Sequence, residues 1–140
     1  MPQHARFSPR QHETVVGGTV ERLLRKASAH LDAGRLGEAE RLYRRLLKSE
    51  PGHAGAIYKL GLIASQQGNA DLALPYLTAA LRAEPDQPQH WLSLATALLR
   101  ADRLPDARTI LTGFVEQGFS GSALDLVKAN LVEMLLTEAR

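Results

Sequence analysis

Two stretches of this 140-residue chain superimpose when one is moved along by 34 positions: GRLGEAERLYRRLLKSEP (34–51) and GNADLALPYLTAALRAEP (68–85). Gly34 meets Gly68, Ala39 meets Ala73, Leu42 meets Tyr76, Leu47 meets Leu81, Glu50 meets Glu84 and Pro51 meets Pro85. A third stretch, DRLPDARTILTGFVEQGF (102–119), puts Asp102, Leu104, Ala107, Leu111 and Val115 on the same grid, with Phe119 where the other two have proline. A fixed period of this length marks a repeat architecture, in which each unit is too small to bury its own apolar face and stacks on its neighbours.

A second helical pattern precedes each stretch: Leu23, Ala27 and Leu31; Ile57, Leu60, Gly61 and Ala64; Trp91, Leu94, Ala95 and Leu98. Spacings of three and four put these residues on one helix face. Small residues at Ala27, Gly61 and Ala95, and at Ala39, Ala73 and Ala107, let two helices of a unit approach closely while larger neighbours fill the flanking grooves. Gly34 and Gly68 can take the left-handed conformation that ends a first helix, and Pro51 and Pro85 stop the second. Pro105 suits a first helical turn. Pro75 falls about one turn inside its helix, where it removes a backbone hydrogen bond and predicts a slight bend.

The pattern resembles the tetratricopeptide repeat family, whose 34-residue unit is a helix–turn–helix, and the resemblance covers residues 20–121. The middle unit keeps Leu60, Gly61, Gly68, Ala73, Leu77, Ala80 and Pro85 together, while Leu46 and Phe114 stand at the places matched by Ala80. The fold implied is all-α, a right-handed solenoid of three such units plus a C-terminal capping helix. Units are expected at 20–53, 54–87 and 88–121, with the last helix in 122–140. Residues 1–19 are expected to be a disordered leader, because they are rich in Gln, His, Arg, Pro and Gly and show no sustained period.

In the family, the first helices line a concave binding groove. Carried over to this sequence, the groove positions are Glu21, Leu24, Ser28, Leu31 and Asp32, then Gly55, Tyr58, Leu62, Ser65 and Gln66, then Gln89, Leu92, Thr96, Leu99 and Arg100. Of these, Leu24, Ser28, Tyr58, Leu62, Gln66, Gln89, Leu92, Thr96 and Arg100 are the expected binding residues. Leu24, Tyr58, Leu62 and Leu92 make an apolar floor, with Asp32, Gln66, Gln89 and Arg100 as a polar rim. The Lys and Asn clamp that some members use for a terminal carboxylate is missing, since Leu24, Ser28, Gln89 and Ser93 stand in the clamp region. The asparagine ladder of the family's sugar transferases is replaced by Arg25, Lys59 and Ser93. An apolar floor suits an amphipathic helix laid into a groove. The expected function is therefore a protein-interaction scaffold that binds a protein or peptide. The alternative is a non-catalytic N-terminal repeat module of a larger enzyme, such as a bacterial glycosyltransferase.

The last helix is expected to open at an N-cap, Ser122, and to run to about Glu138. Leu124, Val127, Leu131 and Leu135 form one apolar stripe, and Leu126, Val132, Met134 and Leu136 place apolar side chains on other faces. Leu126 and Met134 are the expected self-association residues of a homodimer, because an apolar patch of this kind is rare on a monomer.

Several chemistries find no support. The chain has no cysteine, so it has no disulfide framework and no thiolate metal site. GHAG (52–55) lacks the lysine of a phosphate loop, and GFSGS (118–122) lacks the final glycine and preceding strand of a nucleophile elbow. His4, His12, His30, His53 and His90 are scattered without zinc spacing, and His30 and His90 are expected on helix surfaces. No cofactor, metal or catalytic residue is expected, and the chain is not expected to be an enzyme. Seventeen basic against fifteen acidic residues give a net charge of +2. The basic excess in 20–53, including Arg41, Arg44, Arg45 and Lys48, is read as a solvated helix face, so nucleic acid is a disfavoured partner. No apolar run approaches the roughly 20 residues that span a bilayer, so no membrane partner is expected and a cytoplasmic address is the default.

Overall fold

The computed structural model describes residues 9–138 and, of their side chains, those of 18–134 and Leu136. Among these residues there are seven helices and no strand: α1 (Pro9–Asp32), α2 (Leu36–Ser49), α3 (Ala54–Gln66), α4 (Ala70–Ala83), α5 (Pro88–Arg100), α6 (Leu104–Glu116) and α7 (Ser122–Glu138). Helices α2, α4 and α6 begin at 36, 70 and 104, one 34-residue period apart each time, as the sequence pattern requires.

The turns inside the repeats follow one scheme. At the end of α1, Gly34 has φ 79°, its N–H donates to Leu31 O at 3.0 Å, and Arg35 N–H donates to His30 O at 2.8 Å. At the end of α3, Gly68 has φ 75°, with Gly68 N–H to Ser65 O at 3.1 Å and Asn69 N–H to Ala64 O at 2.9 Å. At the end of α5 the same pair runs from Asp102 N–H to Leu99 O and from Arg103 N–H to Leu98 O, at 3.1 and 2.9 Å. This paired pattern satisfies carbonyls that the helix end leaves free. Asp102 adopts it at φ 59°, the left-handed region that favours glycine. After α6, Gly118 has φ 83° and Phe119 packs on Phe114 with ring centroids 4.8 Å apart. Phe119 therefore serves the apolar contact that accompanies such a cap, at a place where the other two copies have proline.

The chain divides into two compact units, one up to Ala56 and one from Ile57. In the first, α1 packs on α2, burying Val20, Leu23 and Ala27 of α1 and Ala39, Tyr43 and Leu46 of α2. His53 Nδ1 accepts from Ala56 N–H at 3.0 Å and so caps the start of α3. In the second, α4 packs on α5, α5 on α6 and α6 on α7. Ala73, Leu77, Leu94, Ala95, Leu98, Ala107, Leu111, Phe114 and Val127 share one buried cluster. Gly61 shows why a small residue is needed on α3: a Cβ there would lie 2.6 Å from Leu77 Cδ2 of α4.

Four expectations are corrected. Residues 1–8 of the expected disordered leader lie outside the described residues, but 9–19 are helical and continue α1. Pro9 is the first residue of that helix, where a missing N–H costs nothing. Each residue added to a formed helix also gains a hydrogen bond without a new nucleation cost. The cap of α7 is Gly121, not Ser122: its carbonyl accepts from Leu124 and Asp125 N–H, and Ser122 is the first helical residue. His90, expected at the surface, is only 3% exposed. Met134, expected on a self-association face, is 5% exposed and belongs to the core cluster, since it lies seven residues after the fully buried Val127 on the same side of α7. Leu135, expected on the apolar stripe, lies outside the described side chains.

Candidate functional site

In the second unit, α3 and α5 present the expected groove residues side by side. Leu62, Ser65 and Gln66 of α3 and Leu92, Ser93, Thr96 and Arg100 of α5 line an open depression of about 270 Å³. Leu62 and Leu92 are half-buried and form its apolar floor, while Gln66, Thr96 and Arg100 are exposed around it. Two hydrogen bonds join α3 to α5 here, the first beside the depression, since Tyr58 does not line it, and the second within its lining. The Tyr58 and Ser93 hydroxyls lie 2.8 Å apart, and Arg100 Nη1 donates to Ser65 Oγ at 3.2 Å. Thr96 Oγ1 donates to Leu92 O at 2.8 Å, which ties its hydroxyl to its own helix.

Behind Tyr58 lies a polar pair that sequence reasoning missed. His90 packs its ring on Tyr58 with centroids 4.3 Å apart, and its Nε2–H donates to Glu84 Oε1 at 3.0 Å. A carboxylate oxygen accepts, so Nε2 is the donor of this bond, and among the described residues the buried Nδ1 has no hydrogen-bond partner. His90 and Ser93 thus fix Tyr58 from two sides.

Not every expected groove residue joins this arrangement. Gln89 Nε2 donates to Gln87 Oε1 at 3.2 Å and does not line the depression. Leu24, half-buried, and Ser28, exposed, lie on α1 in the first unit. Ser65, a position the family pattern carries into the groove, and Ser93, which it does not, both line it. A signal for them exists in the sequence: both bonded pairs, Tyr58 with Ser93 and Ser65 with Arg100, are 35 residues apart. That is one period plus one residue, the offset between facing positions on α3 and α5. No group of three or more His, Asp or Glu side chains among the described residues could hold a metal ion. No described helix is long and apolar enough to cross a membrane.

The family model for the tetratricopeptide repeat matches residues 24–73 and again 58–123. The chain belongs to the tetratricopeptide repeat family. Solved tetratricopeptide structures resemble it along most of its length. The Yersinia enterocolitica type III secretion translocator chaperone SycD is 19% identical, with a TM-score of 0.80 over 89% of this chain and 88% of that one. The same chaperone in complex with a peptide of the translocator YopD gives a TM-score of 0.73 at 19% identity, over 86% of this chain and 92% of that one. A mutant O-GlcNAc transferase of Thermobaculum terrenum is 26% identical, with a TM-score of 0.67 over 72% of this chain but only 19% of that one. Comparison with curated proteins gave no match.

Proposed function

We propose that this tetratricopeptide repeat chain is a protein-interaction scaffold that binds a peptide or amphipathic helix along α3 and α5. The depression floored by Leu62 and Leu92 carries the reading. It is smaller and more open than the roughly 300–1,000 Å³ clefts that enclose small molecules, and it suits a single apolar anchor of a longer ligand. Arg100, Gln66 and Thr96 supply a polar rim that fixes register, and the solved complex of SycD with a YopD peptide gives the fold a peptide-binding precedent. Leu24 and Ser28 of α1 extend the same reading to the first unit, and Gln89 takes part if a ligand draws it from Gln87.

Peptide display against the whole chain tests this. Selected peptides are expected to carry apolar residues at helical spacing and to lose at least about tenfold in affinity on Leu92→Glu or Leu62→Glu, with the helical circular dichroism unchanged. Peptides indifferent to both substitutions would show that the depression is not the binding site.

A second reading rests on α7, where Leu126, Val132 and Leu136 are 55%, 56% and 59% exposed on one side of the helix. That side is a candidate self-association face of a homodimer. The partial match to the Thermobaculum transferase supports the alternative of a non-catalytic repeat module within a larger enzyme, and in that setting the groove would hold the same role.

A further inference from the structure

Helix α2 carries Arg41, Arg44, Arg45 and Lys48, spaced so that they share one side, and all four are exposed. With Gly37 and Glu40 they line an open depression of about 610 Å³. The repeat supplies an internal control for whether the fold needs this charge. Moved on by one period, the same places on α4 are Pro75, Thr78, Ala79 and Arg82, which line a comparable depression with Asp71, Leu74 and Arg103, the last paired with Asp106. The buried sides are equivalent, with Ala39, Tyr43 and Leu46 on α2 answering to Ala73, Leu77 and Ala80 on α4. Packing is thus served equally well by a helix whose own outer positions carry one cation, Arg82, as by one whose outer positions carry four. The guanidinium groups are a property of α2 that the architecture does not require.

Their own acidic neighbours do not saturate them. Arg41 Nη2 donates to Glu38 Oε2 at 2.6 Å and Arg44 Nη2 to Glu40 Oε1 at 2.8 Å. Each guanidinium has five N–H donors, and exposed pairs along a helix are weak enough to exchange with an incoming carboxylate. Arg45 and Lys48 form no ion pair among the described residues.

We infer that this side of α2 is a docking surface for an acidic peptide segment of a partner protein, distinct from the groove of α3 and α5. Arg44 and Arg45, each about one helical turn from Arg41, can with it each take a carboxylate bidentately, which a row of lysines could not. The interleaved Glu38 and Glu40 favour a peptide over a membrane or a nucleic acid. A uniform anionic surface would meet those two carboxylates in the same strip, whereas a peptide can set its acids against the arginines and spare the glutamates. Gly37, without a side chain, leaves one end of the depression open for a chain to pass.

The test is fluorescence anisotropy on the full chain with a labelled Glu-rich helical peptide. A Lys-rich peptide, a single-stranded oligonucleotide and phosphatidylserine vesicles are run beside it. Saturable binding of the Glu-rich peptide is expected, weakening with salt. The pair Arg44→Glu and Arg45→Glu should weaken it by at least about tenfold. Arg44→Gln with Arg45→Gln should weaken it less while keeping the parent's melting curve, which separates lost charge from lost fold. Arg82→Glu, at the place on α4 that matches Lys48, and Leu92→Glu in the groove should leave it unchanged. The proposal is overturned if the Glu-rich peptide does not bind at low salt or if Arg82→Glu weakens it equally. It is also overturned if the oligonucleotide or vesicles bind through Arg44 and Arg45 more tightly than the peptide. Because Leu92→Glu separates the two surfaces, failure here leaves the groove reading standing, and the reverse also holds.

Discussion

Asp102 occupies the backbone conformation that Gly34 and Gly68 occupy in the two earlier repeats, with φ 59° against 79° and 75°. A Cβ in the left-handed region is pressed toward the following carbonyl, a cost of about 1–2 kcal/mol that aspartate only partly escapes. Asp102→Gly is therefore expected to stabilise the chain by about 1 kcal/mol in urea unfolding, although it loosens the unfolded chain. Gly68→Asp is the mirror experiment and should destabilise by a similar amount. A second residue-scale effect lies at Tyr43, buried in α2 with its phenol held above its ordinary value of 10.0 by desolvation and, to a lesser extent, by the carboxylate of Asp32. Below pH 10 the phenol is neutral in both folded and unfolded chains. Above it the unfolded chain releases the proton while the folded one retains it, so stability is lost as pH rises from there through the raised folded value. Tyr43→Phe is expected to flatten that alkaline decline in a pH series of unfolding midpoints. An unchanged slope would mean that another group carries it.

At the scale of the element, α4 is the helix that works against its own sequence. Its start is well made, with Asn69 Oδ1 accepting from Leu72 N–H at 3.2 Å, but Pro75 sits in its sixth position, where no N–H is available for Asp71 O. The helix persists to Ala83 because Ala73, Leu77, Ala80 and Leu81 are all buried on the other side. Tertiary burial outweighs a local penalty of about 3 kcal/mol. Pro75 itself is exposed, so Pro75→Ala restores the missing bond without disturbing the core. Allowing for the entropy the unfolded chain regains, the gain should be about 2 kcal/mol, read as a raised midpoint in thermal melting. A neutral result would indicate that the helix has already relaxed around the proline. The same competition explains α1. Its stretch from Pro9 to Thr19 has no apolar period to recommend it, yet it extends a helix already nucleated by the packed turns that follow.

For the molecule as a whole, α7 is where sequence and structure part most clearly. Leu126 and Met134 read alike in the sequence as apolar residues away from the main stripe, but Met134 is buried in the core cluster and Leu126 is 55% exposed. The two glutamate substitutions should accordingly behave differently. Met134→Glu buries a charge without a partner and should cost several kcal/mol, about 3 or more. Leu126→Glu should leave stability nearly untouched and reveal, by sedimentation, whether mass falls to that of one chain. The helix pairs, their period and the glycine turns were all legible in the residues, because each depends on spacing and on conformations that only a few residue types allow. The two half-buried leucines of the depression were legible through the resemblance, which carries the family's groove positions onto them. The polar partners were not. His90 looks like any surface histidine until Glu84 and Tyr58 enclose it, and the pairing of Tyr58 with Ser93 depends on the one-residue offset between facing helices. Sequence periodicity determines which side of a helix is apolar. Which groups face one another across two helices is set by their offset and rotation in the packed structure, and which apolar side chains remain uncovered is set by how many neighbours a helix finds.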